Sequence, residues 1–254
     1  MSFHVVIPAR YASTRLPGKP LLDIRGKPMV QWVVEAACQS AARSVVVATD
    51  DARICQAIRA VPDKQVAAIM TDAAHRSGTD RIAEVARLKQ WPDDALVVNV
   101  QGDEPQLPPV LIDQVAEVLA AHPQAAMATL STPIESLEEF LNPNVVKVVA
   151  DNHGLALYFS RAPIPWHRDQ APDGLASQTR FAGAQRHLGI YAYRVGALKQ
   201  ITAMPPGGLE LAESLEQLRA LQAGMRIAIA EAAIRPGVGV DTPQDIERIR
   251  NQSI

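Results

Sequence analysis

The chain has 254 residues, 48% hydrophobic and 20% charged, the balance of an ordinary globular protein long enough for one large domain. A formal net charge of -2 argues against nucleic acid or an anionic membrane as main partner, so any anion chemistry has to be local. The apolar runs are too short to span a bilayer. The opening MSFHVVIPAR has neither the h-region nor the cleavage site of a signal peptide, so a cytoplasmic protein is expected. Cys38 and Cys55 sit in alanine- and valine-rich helical segments and read as small core residues, not as a disulfide or metal pair.

Short β-branched runs alternate with helical patterns from the start. Residues 4–7 (HVVI), 44–49 (SVVVAT) and 95–100 (ALVVNV) are nearly continuous apolar runs, as in strands buried on both faces. Helices are predicted over 28–42, with proline at the start, over 50–60, opened by an aspartate, and over 77–88 and 109–121. This order predicts a doubly wound α/β fold on a mostly parallel sheet with right-handed crossovers.

From about residue 125 to 200 the pattern changes. AAMATLSTPI, VVKVVAD, LALYFS and HLGIYAYR predict strands joined by short turns, an inserted mixed or antiparallel subdomain within one 254-residue domain. Residues 170–185 read as a loop, 210–221 as one strong helix and 226–232 as a final strand. Residues 242–250 close the chain as a helix with Thr242 as N-cap and Pro243 at its first position.

Two unusual segments follow predicted strands, where open α/β sheets bind ligands. IPARYASTRLPGKPL, residues 7–21, fails as a Rossmann fingerprint because it holds a single glycine, Gly18. It fails as a P-loop because Lys19 is followed by Pro20, which offers no hydroxyl. What remains is a loop of small residues with three cations, Arg10, Arg15 and Lys19, suited to several phosphate oxygens; a plain surface turn stays open on this loop alone. QGDEP, residues 101–105, puts an acidic pair at a strand's carboxyl end, a reasonable site for Mg²⁺ shared with substrate phosphates, with Asp103 the better ligand. Asp241, just before the last helix, is a second candidate through its pairing with Asp103. Ser77 and Gly78 open a helix whose N–H groups could meet a base or phosphate, although capping explains Ser77 equally well. Arg161 is a candidate carboxylate clamp, and Arg186 and His187 begin a strand. No Ser-His-Asp order, HExxH or clustered Cys/His is evident.

Taken together, IPARYASTRLPGKPL, VVVATDD, HRSGTDRIAEV, VVNVQGDEP, NPNVVKVV, ALYFSRAPIPW, RHLGIYAYR, LEQLRAL and GVDTPQDIERIR resemble the 3-deoxy-manno-octulosonate (Kdo) cytidylyltransferases, or CMP-Kdo synthetases, in order over nearly the whole chain. The CMP-sialic acid synthetases are similar, and the nucleotide-sugar pyrophosphorylases more distantly so. The resemblance implies a nucleotide-diphospho-sugar transferase-like fold and the reaction of CTP with Kdo to CMP-Kdo and pyrophosphate, with Mg²⁺, for lipopolysaccharide biosynthesis. It implies that Arg10, Arg15 and Lys19 hold the triphosphate, with Lys19, Asp103 and Asp241 at the reacting centre. Backbone at Ala9 and Arg10, with Ser77 and Gly78, would read the cytidine, and Gln101 the ribose. Asp103 and Asp241 would bind the metal. Arg161, His187, Tyr191, Glu216 and Gln217 would line the sugar-acid pocket, Arg161 at the carboxylate. The resemblance also implies a homodimer joined through the inserted strands. A glycosyltransferase of similar fold would want a D-x-D motif, which QGDEP does not supply. A regulatory nucleotide-binding relative would have lost Lys19, Asp103 or Asp241.

Overall fold

The computed structural model describes residues 2–12, 16–63, 65–171, 173–237, 239–240 and 242–251. Its strands are β1 (Phe3–Pro8), β2 (Asp23–Ile24), β3 (Lys27–Pro28), β4 (Ser44–Thr49), β5 (Val66–Met70), β6 (Leu96–Asn99), β7 (Met127–Pro133), β8 (Lys147–Ala150), β9 (Ala156–Ser160), β10 (Gln185–Arg194) and β11 (Ile227–Glu231). The helices are α1 (Met29–Cys38), α2 (Ala52–Arg59), α3 (Gly78–Leu88), α4 (Pro109–Ala121), α5 (Leu137–Leu141), α6 (Val195–Ala203), α7 (Gly208–Glu213), α8 (Gln217–Gln222) and α9 (Pro243–Asn251).

The central sheet runs β5-β4-β1-β6-β10-β7-β11, and β8 joins β10 with β9 on its outer side. Neighbours along it are parallel except at β10, which lies antiparallel between β6 and β7. The alternation of β1 explains both layers. Val5 and Ile7 face one side with Val33, Val34, Leu111 and Val115 from α1 and α4, while Val6 faces the other with Ile82 and Val85 from α3 and Leu198 from α6. Each such fully buried side chain contributes about 1.5–3 kcal/mol, so both layers hold the strand ends firmly.

Several boundaries depart from the sequence pattern. The first helix ends at Cys38, where the Ser40 hydroxyl donates to the Ala37 carbonyl at 2.6 Å and competes with another turn. The N-cap of α2 is Asp51, not Asp50, whose carboxylate turns elsewhere. β5 had no predicted counterpart: VAAIM is alanine-rich, and it forms the sheet edge. The helix predicted over 210–221 is two helices, α7 and α8, broken at Ser214 with a left-handed φ of 52°. Residues 125–200 supply β7 and β10 to the central sheet itself, with the β8–β9 hairpin extending from β10.

Chain order fixes where a ligand can bind. From β1 the chain passes to β4 and β5 on one side, then returns to place β6 on the other. The carboxyl ends of β1 and β6 therefore flank the point where the winding reverses, and a crevice opens there.

Candidate active site

The loop after β1 is shaped by its small residues. Ala9 is buried and its N–H donates to the Ala48 carbonyl at 2.9 Å. Gly18 sits at φ 69°, donates to the Tyr11 carbonyl at 3.1 Å and starts a short 3₁₀ turn that carries Lys19. The loop after β6 lies against it. A Cβ on Gly102 would stand 2.9 Å from the Pro8 carbonyl oxygen, so only glycine permits this approach. Lys19 Nζ then donates to Asp103 Oδ2 at 2.6 Å.

The opposite wall is the start of α3. Ser77 caps it reciprocally: its hydroxyl accepts from Asp80 N–H, and Asp80 Oδ2 accepts from Ser77 N–H, both at 3.1 Å. Gly78 and Thr79, at the first helical positions, carry N–H groups that no earlier helical carbonyl can take. These walls enclose a cleft of about 270 Å³ lined by Ala9, Arg10, Lys19, Ser77, Gly78, Gln101 and Asp103, with His75, Arg76 and Arg81 beside them. Besides the Lys19–Asp103 and Arg81–Asp50 pairs, Arg10 and Arg76 line it, an excess of positive charge that suits a polyanion.

The structure thus brings together seven of the predicted residues. Arg15 and Asp241 lie outside the described residues. Val240, next to Asp241 in the chain, donates its N–H to the Asp103 carbonyl at 2.9 Å, which ties GVGVDTPQD to QGDEP.

Buried Arg81 was missed by sequence reasoning, as was its partner. Its guanidinium donates to Asp50 Oδ2 and to the Thr71 hydroxyl, and Asp50 Oδ1 accepts the Tyr11 N–H at 3.4 Å. Asp50 therefore links α3 to the cationic loop. Its only trace in the sequence is the doubled aspartate of VVVATDD.

Behind the cleft lies a second cavity of about 70 Å³, bordered by Thr79, Asn99, Tyr191, Tyr193, Glu216 and Gln217. Gln101 borders both spaces. Glu216 accepts from the Ser77 hydroxyl at 3.3 Å and the Thr79 hydroxyl at 3.1 Å, and burial raises its carboxyl above the usual range. Burial likewise pushes the Tyr191 and Tyr193 phenols up, so both stay protonated donors at neutral pH. The break at Ser214 makes this possible, because it sends Glu216 to α3 while Glu213 accepts from the Ser160 hydroxyl at 2.6 Å.

His187 stands behind Tyr191, their rings 5.3 Å apart, and outside the residues that border the cavity. The one proton of the Thr129 hydroxyl can go to the carbonyl of Leu188 or of Ile190, and with it placed there the oxygen accepts from His187 Nε2–H at 3.1 Å. Burial first, and Arg186 second, push its pKa down to about 3, so the ring is neutral. Arg161 borders neither space. Its guanidinium donates to the carbonyls of Glu213 at 2.6 Å, Pro143 at 3.0 Å and Ser214 at 3.4 Å, tying the end of β9 to the helix break.

Among the described residues no cluster of three or more His, Cys, Asp or Glu could cage a metal. Asp103 still fits a hard cation: one of its oxygens holds the Lys19 ammonium, and the carboxylate is 37% exposed toward the cleft. One or two carboxylates with ligand phosphates are the usual Mg²⁺ donor set.

Comparison with known proteins agrees with this geometry. The sequence profile of the family described as Cytidylyltransferase matches residues 4–227. The chain is 57% identical over 249 residues to the 3-deoxy-manno-octulosonate cytidylyltransferase of Thioalkalivibrio sulfidiphilus, covering 98% of each chain. It is 54% identical to that of Pseudomonas syringae, covering 98% of this chain and 97% of the other. The solved structure of a CMP:2-keto-3-deoxy-manno-octonic acid synthetase complexed with CTP superposes with a TM-score of 0.86 at 45% identity, over 98% of this chain and 97% of that one. A cytidylyltransferase from Leptospira borgpetersenii shares the fold at a TM-score of 0.60, 16% identity and coverage of 98% and 84%. With its nucleotide-sized cationic cleft at the switch point and these relatives along its whole length, the chain belongs to the 3-deoxy-manno-octulosonate cytidylyltransferase family.

Proposed function

We propose that this protein transfers the cytidylyl group of CTP to Kdo, giving CMP-Kdo and pyrophosphate for lipopolysaccharide biosynthesis. The observation that carries the reading is Gln101, which borders both the cationic cleft and the polar cavity behind it, so two different substrates meet at the ends of β1 and β6. The anomeric 2-hydroxyl of the sugar acid attacks the α-phosphorus. The new bond joins that oxygen to phosphorus, the bond to the β-phosphate oxygen breaks, and the hydroxyl proton leaves to solvent.

Such transfer needs positioning and charge neutralisation more than a protein nucleophile. In this reading Arg10, Arg15 and Lys19 bind the triphosphate. Ala9, Ser77 and Gly78 hold the cytosine, and Gln101 the ribose. Mg²⁺, when held by Asp103 and Asp241, supplies Lewis-acid stabilisation of phosphate charge and lowers the pKa of the sugar hydroxyl. Tyr191, Glu216 and Gln217 take sugar hydroxyls. Neutral His187 fixes the Tyr191 ring from behind. Arg161 receives the sugar carboxylate by exchanging its two outer carbonyl contacts, both exposed, for a charge-assisted pair.

A homodimer through the hairpin region belongs to the same reading. β9 pairs with β8 alone among the described strands, and Leu157 on it is 62% exposed, an edge that asks to be covered. No helix of the described residues is long and apolar enough to cross a membrane.

Pyrophosphate release tests the reading: it is expected only with CTP, Kdo and Mg²⁺ together and is abolished by EDTA. Robust release with UTP or ATP in place of CTP overturns the cytidine assignment. Light scattering at micromolar concentration tests the dimer, and a monomer mass rejects it.

A further inference from the structure

β6 ends in Asn99, a polar residue that closes an apolar strand and is 2% exposed. It stands directly opposite Tyr191 on β10 and borders the second cavity. Its Oδ1 is buried and has no hydrogen-bond partner. Buried polar atoms are almost always paired, yet three that border this one cavity have no partner: Asn99 Oδ1, Tyr191 Oη and Gln217 Nε2. Their capacities differ. Oδ1 only accepts, Nε2 only donates, and the Tyr191 hydroxyl does both. A carboxylate or phosphate would satisfy Nε2 and clash electrostatically with Oδ1. A polyol satisfies all three, because each hydroxyl is both donor and acceptor.

We propose that Asn99 is a specificity-determining residue of the sugar pocket, its Oδ1 accepting a hydrogen bond from one hydroxyl of the sugar acid. The inference rests on the reading of this chain as a Kdo cytidylyltransferase. A site built around a substrate hydroxyl rejects the analogue that lacks it far more strongly than an apolar pocket rejects a missing methylene, because its polar groups are left unpaired. Asn99 is thus a discriminating contact, while Lys19 and Asp103 act on the nucleotide.

The test compares wild type, Asn99→Leu and Asn99→Asp with CTP and either Kdo or Kdo analogues lacking one hydroxyl each. Wild type should lose about 100-fold or more in kcat/KM for one analogue. Asn99→Leu should lose at least about tenfold on Kdo, keep the CTP KM within about twofold, and no longer discriminate against that same analogue. Asn99→Asp keeps an acceptor and should retain the discrimination, which also covers the case in which the leucine variant does not fold. If Asn99→Leu discriminates among the analogues as wild type does, or if its loss is equal on every analogue and on CTP, the assignment is overturned. Absence of wild-type turnover with CTP and Kdo would instead overturn the functional reading, and this assignment with it.

Discussion

Lys19 and Asp103 meet at 2.6 Å although 84 positions separate them in the chain, and their contact joins the loop after β1 to the loop after β6. The pair is a feature of the site more than of stability. With the carboxylate 37% exposed, its net worth to folding is at most about 1 kcal/mol. Asp103→Asn is therefore expected to melt within a few degrees of wild type while kcat falls roughly 10²–10³-fold, the size of losing one preorganised electrostatic contact. Lys19→Ala should reduce kcat/KM for CTP by roughly 10–100-fold, as for a lost charge-assisted hydrogen bond. Near-normal turnover in Asp103→Asn would remove that residue from the reacting centre.

Arg81 and Asp50 carry the opposite balance. Arg81 is 3% exposed and Asp50 15%, so removing one partner strands a buried charge. Arg81→Met should cost about 3–5 kcal/mol in denaturant unfolding. Asp50→Asn keeps an acceptor for the Tyr11 N–H but strands the more buried Arg81 charge, so it should cost a comparable amount and raise the CTP KM, because the cationic loop loses its charged tether to α3. A loss under about 1 kcal/mol for Arg81→Met would show that the pair is solvated.

His187 makes stability depend on pH in a definite direction. Its folded pKa, about 3, lies below the ordinary 6.5, so between those values the unfolded chain binds a proton that the native state refuses. The stabilisation is complete above pH 6.5 and is lost as pH falls toward 3, at roughly 1.4 kcal/mol per unit. Unfolding free energies at pH 4.5 and 6.5 should differ less in His187→Gln, which keeps a donor for Thr129. Equal differences in the two proteins would mean that the imidazole protonates freely.

Ser214 holds a left-handed conformation, φ 52° and ψ 48°, at the break between α7 and α8. A residue with a Cβ is held there at a cost of about 1 kcal/mol. Ser214→Gly should raise the melting temperature by a few degrees with activity retained, whereas Ser214→Val should lower it. If glycine destabilises, the serine side chain itself supports the turn.

The strands buried on both faces, the helix starts at Ser77 and Pro109, and the two loops at the strand ends were legible because each is written in adjacent residues: apolar runs, caps, and small residues beside cations. β5 was not, since its alanines carry little strand preference and only pairing with β4 makes it one. The helix break was hidden because LELAESLEQLRAL is helical by local preference, and what accompanies the break is Glu213 turning to Ser160 while Glu216 turns to Ser77. Arg161 read as a free clamp because its carbonyl partners come from residues 143, 213 and 214. Asn99 and Arg81 owe their roles to burial against elements distant in the chain. Local sequence sets periodicity, caps and the backbone freedom of a loop. Which side chains meet across 84 or 139 positions depends on strand order in the sheet, decided when both apolar faces of the sheet are buried together.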